Sequence, residues 1–175
     1  MDSRELAALT TQLERQLTPL ARRASKLYVG RTNYPERRLL QHLVKRGTDR
    51  MAVLHWAADW DVVARIETHL IEFAGKWEGK IKNASVDSTG RWSGAWNCVY
   101  LVWEDKASVS NGSKPFSSFR ELDATTRICP GHHLAQEGPV LLRAATSPTN
   151  ALQHLETLGW RLKTNRKKEQ YWSRS

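Results

Sequence analysis

One stretch of the chain, residues 27–43, predicts a strand, a turn and a helix in immediate succession. Residues 27–29 are aromatic or branched and favour a strand. Gly30 follows without a Cβ, so another group can approach the backbone closely there. Pro35 suits the first position of a helix and indicates where that helix begins. The end of the strand and the start of the helix must therefore lie close together in space.

Three polar side chains of this unit are candidates for a functional site. Arg38 and His42 are four residues apart, so they lie on one face of the helix. Tyr28 belongs to the strand that precedes the turn. The three side chains can converge on one site. For Arg38 and His42 taken alone, the alternative is a pair on a solvent-facing helix surface.

A second strand and a second helix follow this unit. Residues 51–56 form an apolar run of strand length, and residues 59–74 show a broad apolar face at helical spacing. Glu67 lies within the apolar pattern of that helix. A carboxylate near a core face is costly unless it is paired with a cation. Two interpretations stay open for Glu67: an ion pair with an arginine, or a metal ligand.

Taken in order, these residues resemble the second half of the signature of the GIY-YIG nuclease superfamily. Residues 28–30 read Tyr-Val-Gly where that family has Tyr-Ile-Gly. Arg38 and His42 follow in the family's Tyr…Arg-x-x-x-His pattern. Glu67 lies in the helix that holds the family's metal-binding glutamate, and Asn83 resembles its terminal asparagine motif.

The resemblance implies an α+β fold and hydrolysis of phosphodiester bonds with a single divalent ion. The ion would be Mg²⁺ or Mn²⁺, bound by Glu67. In this scheme Tyr28 deprotonates or orients the attacking water, and Arg38 clamps the phosphate. His42 relays a proton or fixes Tyr28. Asn83 bonds Glu67 or orients the substrate.

The first motif of the family, a Gly-Ile-Tyr strand, is absent from its usual place. Residues 13–25 stand there instead, rich in arginine, interrupted by Pro19 and without a tyrosine. Either the protein is a degenerate member that binds nucleic acid without cutting it, or another strand fills the gap in the sheet. An empty slot would leave backbone groups without partners.

Residues 98–103 have the composition of the missing strand. We therefore predict that they lie beside residues 27–29, as in a circular permutation of the fold, and that Tyr100 points into the pocket of Tyr28, Arg38 and Glu67. Strand alternation would place Tyr100 on the opposite face from its immediate neighbours. The alternative is an ordinary core strand in a separate C-terminal subdomain.

The charge balance favours nucleic acid as the partner. The chain has 27 Lys and Arg against 18 Asp and Glu, which gives a formal net charge of +9. Charge alone does not exclude a merely basic protein. Double-stranded DNA is the predicted substrate, and a homodimer is the simple way to cut both strands. The residues assigned to nucleic-acid contact are Arg31, Lys76, Lys80, Arg166, Lys167 and Lys168.

The chain divides into three predicted segments: an N-terminal amphipathic helix over 1–25, a GIY-YIG-like core over 26–105, and a C-terminal extension over 106–175. The core is expected to hold a small mixed or antiparallel sheet flanked by helices. The extension reads as irregular over 116–138 and ends in an α-β-β unit with a basic tip. Two cysteines and no apolar run of membrane length predict a soluble, intracellular protein. The expected function is a restriction or mobile-element endonuclease; a binding module on a degenerate nuclease fold is the alternative.

Overall fold

The computed structural model describes residues 1–77, 79, 96–106, 119–124 and 140–174. Over these ranges the chain forms four helices and seven strands, in the order α1 (Ser3–Arg23), β1 (Ala24–Thr32), α2 (Pro35–Arg46), β2 (Arg50–Ala57), α3 (Trp60–Ala74), β3 (Asn97–Asp105), β4 (Arg120–Asp123), β5 (Val140–Arg143), α4 (Pro148–Thr157), β6 (Trp160–Thr164) and β7 (Gln170–Arg174). No helix in these ranges is both long and apolar enough to cross a bilayer.

The main sheet has five strands in the order β1-β3-β2-β5-β4. Its neighbouring strands are antiparallel except for β4 and β5, which are parallel. Helices cover both faces of this mixed sheet, so the predicted α+β fold is confirmed. Because β1 is the edge strand of the sheet that the described residues form, side chains from the helices on both faces can meet beyond it.

The strand over residues 98–103 lies beside the strand over residues 27–29, as the sequence predicts. β3 runs antiparallel to β1, and Gly30 is the partner of Tyr100 across the pair. The end of β3, at Asp105, pairs with Ala24 at the start of β1. The two strands are thus arranged like the strands of a β-hairpin, although α2, β2 and α3 lie between them in the chain.

Strand alternation divides the core into two layers. On one face, Val29 and Leu101 pack with apolar residues of α1 and α3, among them Leu17 and Ile66. On the other face, Tyr100 packs with apolar residues of α2 and α4. Burying one leucine or isoleucine side chain stabilises a fold by about 1.5–3 kcal/mol. The two layers therefore fix α2 and α3 firmly on opposite sides of the same sheet.

The N-terminal helix α1 covers one face of the sheet. It begins with a capping box, because the Asp2 carboxylate accepts from the backbone N–H of Glu5 and Glu5 accepts from that of Asp2. Leu13, Leu17 and Leu20 are buried on its inner side. The amphipathic pattern in the sequence thus corresponds to a helix that packs on the core.

The C-terminal part of the chain forms the predicted α-β-β unit. The Ser147 side chain caps the start of α4, and β6 and β7 pair as an antiparallel hairpin. At the hairpin turn, the Asn165 side-chain oxygen accepts from the backbone N–H groups of Lys167 and Glu169. Lys168 adopts a φ of 62°, in the left-handed region.

One expectation about this part of the chain was wrong. Residues 116–138 read as irregular, yet Arg120–Asp123 forms β4, which pairs in parallel with β5. Its four residues alternate poorly between apolar and polar types, so the strand depends on its partner and not on its own sequence. Since β4 and β5 belong to the main sheet, part of the predicted extension shares a sheet with β1. The three-segment division of the chain stays a prediction.

Candidate active site

The β1–α2 unit positions Tyr28, His42 and Arg46 close together. Tyr28 is half-buried on the face of β1 that α2 covers. Its ring lies 4.9 Å from the His42 ring, measured between centroids. The guanidinium of Arg46 lies 4.5 Å from the centroid of the Tyr28 ring. The strand-turn-helix unit therefore brings its tyrosine and histidine together, as the spacing predicts, and it adds Arg46, which the sequence did not indicate.

Tyr100 of β3 contacts this group from the buried side. Its hydroxyl accepts a hydrogen bond from Arg38 Nε at 3.0 Å and lies 3.1 Å from His42 Nε2. The Tyr100 and Tyr28 rings are stacked with centroids 6.2 Å apart. Tyr100 is fully buried, at 0% exposure. It therefore contacts Tyr28, Arg38 and His42 from within the core.

Burial changes the pKa values of Tyr100 and His42 and so sets their protonation states. It raises the pKa of Tyr100, so the phenol stays protonated, and it lowers the pKa of His42 well below 6.5, so the imidazole stays neutral. The neighbouring Tyr100 raises the pKa of Arg38, which stays charged. The Tyr100 hydroxyl consequently donates to His42 Nε2 while it accepts from Arg38. With this assignment His42 carries its proton on Nδ1.

Gly30 is required by the position of Tyr100. A Cβ built on Gly30 would contact the Tyr100 hydroxyl and would lie 2.5 Å from its Cζ. It would also lie 2.8 Å from Cε1 of Tyr28. Real Cβ atoms essentially never come this close to other heavy atoms. The sequence predicted that another group could approach the backbone at Gly30, and that group is the Tyr100 side chain of β3.

Glu67 of α3 forms an ion pair with Arg31 of β1. Arg31 Nε lies 3.2 Å from Glu67 Oε2, and the two side chains are only 9% and 7% exposed. The Arg31 guanidinium also lies 4.4 Å from the centroid of a Trp60 ring. Burial raises the pKa of Glu67, while the charges of Arg31 and Arg38 oppose that rise. The ion pair with an arginine, one of the two interpretations of Glu67, is therefore formed, and the role of Glu67 as a metal ligand stays a prediction.

These candidates surround one cavity of about 420 Å³. Tyr28, Arg38, His42 and Glu67 all line it, whereas the buried Tyr100 is not among the lining residues. The other lining residues are Arg31, Thr32, Arg37, Gln41, Lys45, Arg46, Trp60, Trp160, Tyr171 and Trp172. Within the described part of the chain, the walls thus carry several cations and one carboxylate, a composition that favours an anionic ligand.

A divalent ion at Glu67 would have a sparse set of protein ligands. Within the residues the structure describes, no group of three or more His, Cys, Asp or Glu is arranged to hold a metal. One carboxylate, water and a substrate phosphate nevertheless fit Mg²⁺ or Mn²⁺, which keep several waters at phosphate sites. Arg31 faces one of the two Glu67 oxygens. The residues therefore fit an ion that is coordinated mainly by water, with Glu67 as its protein ligand and Arg31 beside the same carboxylate. They do not fit an ion that is coordinated by protein ligands alone.

The remaining predicted residues lie at different places. Asn83 and Lys80 fall outside the described residues. Lys76 follows α3, with its ammonium 4.1 Å from the centroid of the Phe73 ring. The three basic residues of the C-terminal tip, Arg166, Lys167 and Lys168, are exposed at the β6–β7 turn.

Several residues that line the cavity were not predicted. Lys45 and Arg46 both lie about two turns beyond Arg38 on α2, so the helical period running through Arg38 and His42 is the signal that identifies them. Trp160, Tyr171 and Trp172 come from the hairpin. No local pattern links these distant residues to Tyr28, because only tertiary packing brings the hairpin to α2.

Comparison with known families supports the assignment of this region. The family model of the GIY-YIG catalytic domain matches residues 20–91. This stretch contains β1, α2, β2 and α3, and it ends before β3 begins. The family recognised in the sequence is thereby confirmed. A search of curated proteins and a search of solved structures each found no match.

Proposed function

From the match of residues 20–91 to the GIY-YIG catalytic domain, we propose that the chain is a metal-dependent endonuclease that cuts double-stranded DNA. We infer that it acts in restriction or in a mobile element, as a homodimer when both strands are cut. The observation that carries the proposal is the cationic cavity in which Tyr28, Arg38, His42 and Glu67 meet.

Arg38 is suited to hold the scissile phosphate. Its Nε donates to Tyr100, and one of its terminal nitrogens donates to the Gln41 side-chain oxygen at 3.1 Å. These two bonds fix the plane of the guanidinium before a substrate arrives. A charged, pre-oriented guanidinium stabilises phosphate oxygens through its remaining N–H groups. Tyr100 would act here as a positioning residue, since it does not line the cavity.

Tyr28 is suited to orient the attacking water and to accept its proton. Arg38 and Arg46 lie beside it, so positive charge is close to the position where the attacking water would lose its proton. The neutral His42 packs against the same ring and has one nitrogen engaged by Tyr100. We infer that His42 fixes the orientation of Tyr28.

Glu67 would hold the divalent ion. When bound there, Mg²⁺ or Mn²⁺ supplies positive charge for the phosphate oxygens and the leaving oxygen. Arg31 keeps the buried carboxylate paired and must share it. The backbone of Arg31 also bonds the Glu67 carboxylate, which holds the carboxylate against β1.

Plasmid cleavage tests the proposed function. The wild-type chain is expected to nick and then linearise supercoiled DNA in Mg²⁺ or Mn²⁺, and EDTA should stop it. Glu67→Ala should abolish cutting and leave DNA binding nearly unchanged, because the cationic walls remain. Glu72→Ala, an exposed carboxylate of the same helix, is the matched control and should cut normally. Cutting that survives EDTA, or an active Glu67→Ala variant, contradicts the proposal.

The second candidate is a nucleic-acid-binding module without nuclease activity. The Arg31–Glu67 pair favours it, because an arginine already neutralises the carboxylate that a metal would need. On this alternative the wild-type chain binds DNA with the same affinity in Mg²⁺ and in EDTA, and it never nicks the plasmid. The same experiment therefore separates the two candidates.

A further inference from the structure

The β6–β7 hairpin presents an outer face that the proposed cleavage chemistry does not use. Alternation along the two strands sends Trp160 and Trp172 inward, where they pack on the core beside α2. Arg161, Lys163 and Tyr171 belong to the other face and are exposed. We call these three residues the outer hairpin face.

Tyr171 stands out on this face because 46% of it is exposed. Lys163 is its direct partner across the β6–β7 pair, so the two side chains are neighbours. Basic residues dominate the hairpin, with a single acidic residue, Glu169, against Arg161, Lys163, Arg166, Lys167, Lys168 and Arg174. An exposed aromatic ring within a cationic strand pair is the arrangement that binds unpaired nucleotides.

The hairpin is fixed to the same helix that carries the candidate catalytic residues. The Lys45 ammonium of α2 donates to the backbone carbonyl of Gln170. The Arg37 guanidinium lies between two rings, 4.3 Å from the centroid of Tyr34 and 4.5 Å from that of Trp160. Tyr171 itself borders the cavity. A strand whose phosphate enters the cavity therefore passes close to the outer hairpin face.

We propose that the outer hairpin face holds an unpaired nucleotide of the strand that is cut, with its base stacked on Tyr171 and a phosphate beside Lys163. Bases inside a duplex are already stacked on each other and offer no free face to a tyrosine. Stacking on an aromatic side chain is independent of sequence, because every base has such a face. The inference rests on the proposed nuclease function, and it adds a single-stranded segment next to the scissile phosphate.

Binding to matched oligonucleotides tests this proposal. The probes are a labelled DNA duplex with a short single-stranded deoxyadenosine tail at the 3′ or the 5′ end, and the same duplexes with abasic tails. Both kinds of tail carry the same phosphate charge, and only one kind carries bases. Fluorescence anisotropy is measured on the full chain in EDTA. Tyr171→Ala should weaken binding of one base-containing tail by about 5- to 100-fold and leave the abasic probes unchanged. Tyr171→Phe should bind like the wild type.

Lys163→Ala is the matched control, because it removes a charge and leaves the ring in place. It should weaken base-containing and abasic tails equally and reduce the salt slope of binding by about one. If Tyr171→Ala weakens both kinds of tail alike, or neither kind, the stacking proposal is overturned while plasmid cleavage still supports the nuclease. A wild-type chain that binds no probe and cuts no plasmid overturns the proposed function as well.

Discussion

Gly30 and Tyr100 face each other across β1 and β3, and each limits what the other position accepts. A Cβ on Gly30 would overlap the Tyr100 ring, whose hydroxyl holds Arg38 and His42. Gly30→Ala is expected to destabilise the fold by about 1–3 kcal/mol, because the buried ring has to move in a close-packed core. Urea unfolding measures this loss.

A double-variant cycle assigns the loss to the tyrosine. In a Tyr100→Ala background only the edge of the Tyr28 ring still opposes a Cβ on residue 30, so Gly30→Ala should cost less there than in the wild type. The coupling between the two substitutions should be at least about 1 kcal/mol. Additive effects would show that the alanine is opposed by the Tyr28 ring and not by Tyr100.

Arg31 and Glu67 form a buried pair that a metal ion must share. Arg31→Met removes the cation and leaves a buried carboxylate alone, which costs about 3–5 kcal/mol when a buried pair is broken. Mn²⁺ should then raise the thermal unfolding temperature more in Arg31→Met than in the wild type, because the ion replaces the missing charge. Differential scanning calorimetry with and without Mn²⁺ measures the difference.

The double variant Arg31→Met/Glu67→Gln is the control, since it has no carboxylate for the ion. It should show no specific response to Mn²⁺. An equal response in the wild type and in Arg31→Met would mean that Arg31 does not compete with the metal. The sequence predicted a carboxylate near the core face at Glu67, paired with an arginine or bound to a metal, but not which arginine. A strand residue and a helix residue so far apart in the chain meet only through packing.

Among the secondary-structure elements, those with strong local signals were predicted and the others were not. The pattern of turn, proline and apolar spacing defines β1 and α2, and branched and aromatic residues define β3. The position of β3 beside β1 followed from the missing first strand, since an unfilled slot would leave backbone groups unpaired. β4 carries neither a periodic pattern nor a run of strand-forming residues, so only its pairing with β5 creates it.

The placement of β3 also explains how a sheet can keep its arrangement when the order of the chain changes. Backbone hydrogen bonds and side-chain packing depend on which strands are neighbours, and not on the order in which they are synthesised. β3 ends at Asp105, which pairs with Ala24 at the start of β1, and the backbone N–H of Lys106 donates to the Arg23 carbonyl. The hydroxyl that anchors Arg38 and His42 thus comes from a strand beyond the region that matches the family model.

Over the whole molecule, positive charge lies on both sides of the sheet, but α2 and the β6–β7 hairpin line the cavity and α1 does not. The hairpin tip and α2 lie on the side that contains Tyr100, whereas α1 covers the opposite face. Charges farther from a bound strand than a Debye length, about 8 Å at physiological salt, contribute little to its binding. The distribution of the +9 net charge, and not its total, should therefore determine DNA binding.

Two triple variants that remove the same charge test this conclusion. Neutralising Arg166, Lys167 and Lys168 to glutamine should reduce the slope of log K against log salt by about 2–3, because each lost phosphate contact removes about 0.9 from the slope. Neutralising Arg4, Arg15 and Arg22, which are exposed on α1, should leave the slope unchanged. Anisotropy titrations from about 50 to about 200 mM salt measure both slopes. Equal reductions in the two variants would mean that total charge drives binding. No reduction in either would mean that the hairpin tip is solvated in the complex, and that the contacts lie on α2 around the cavity.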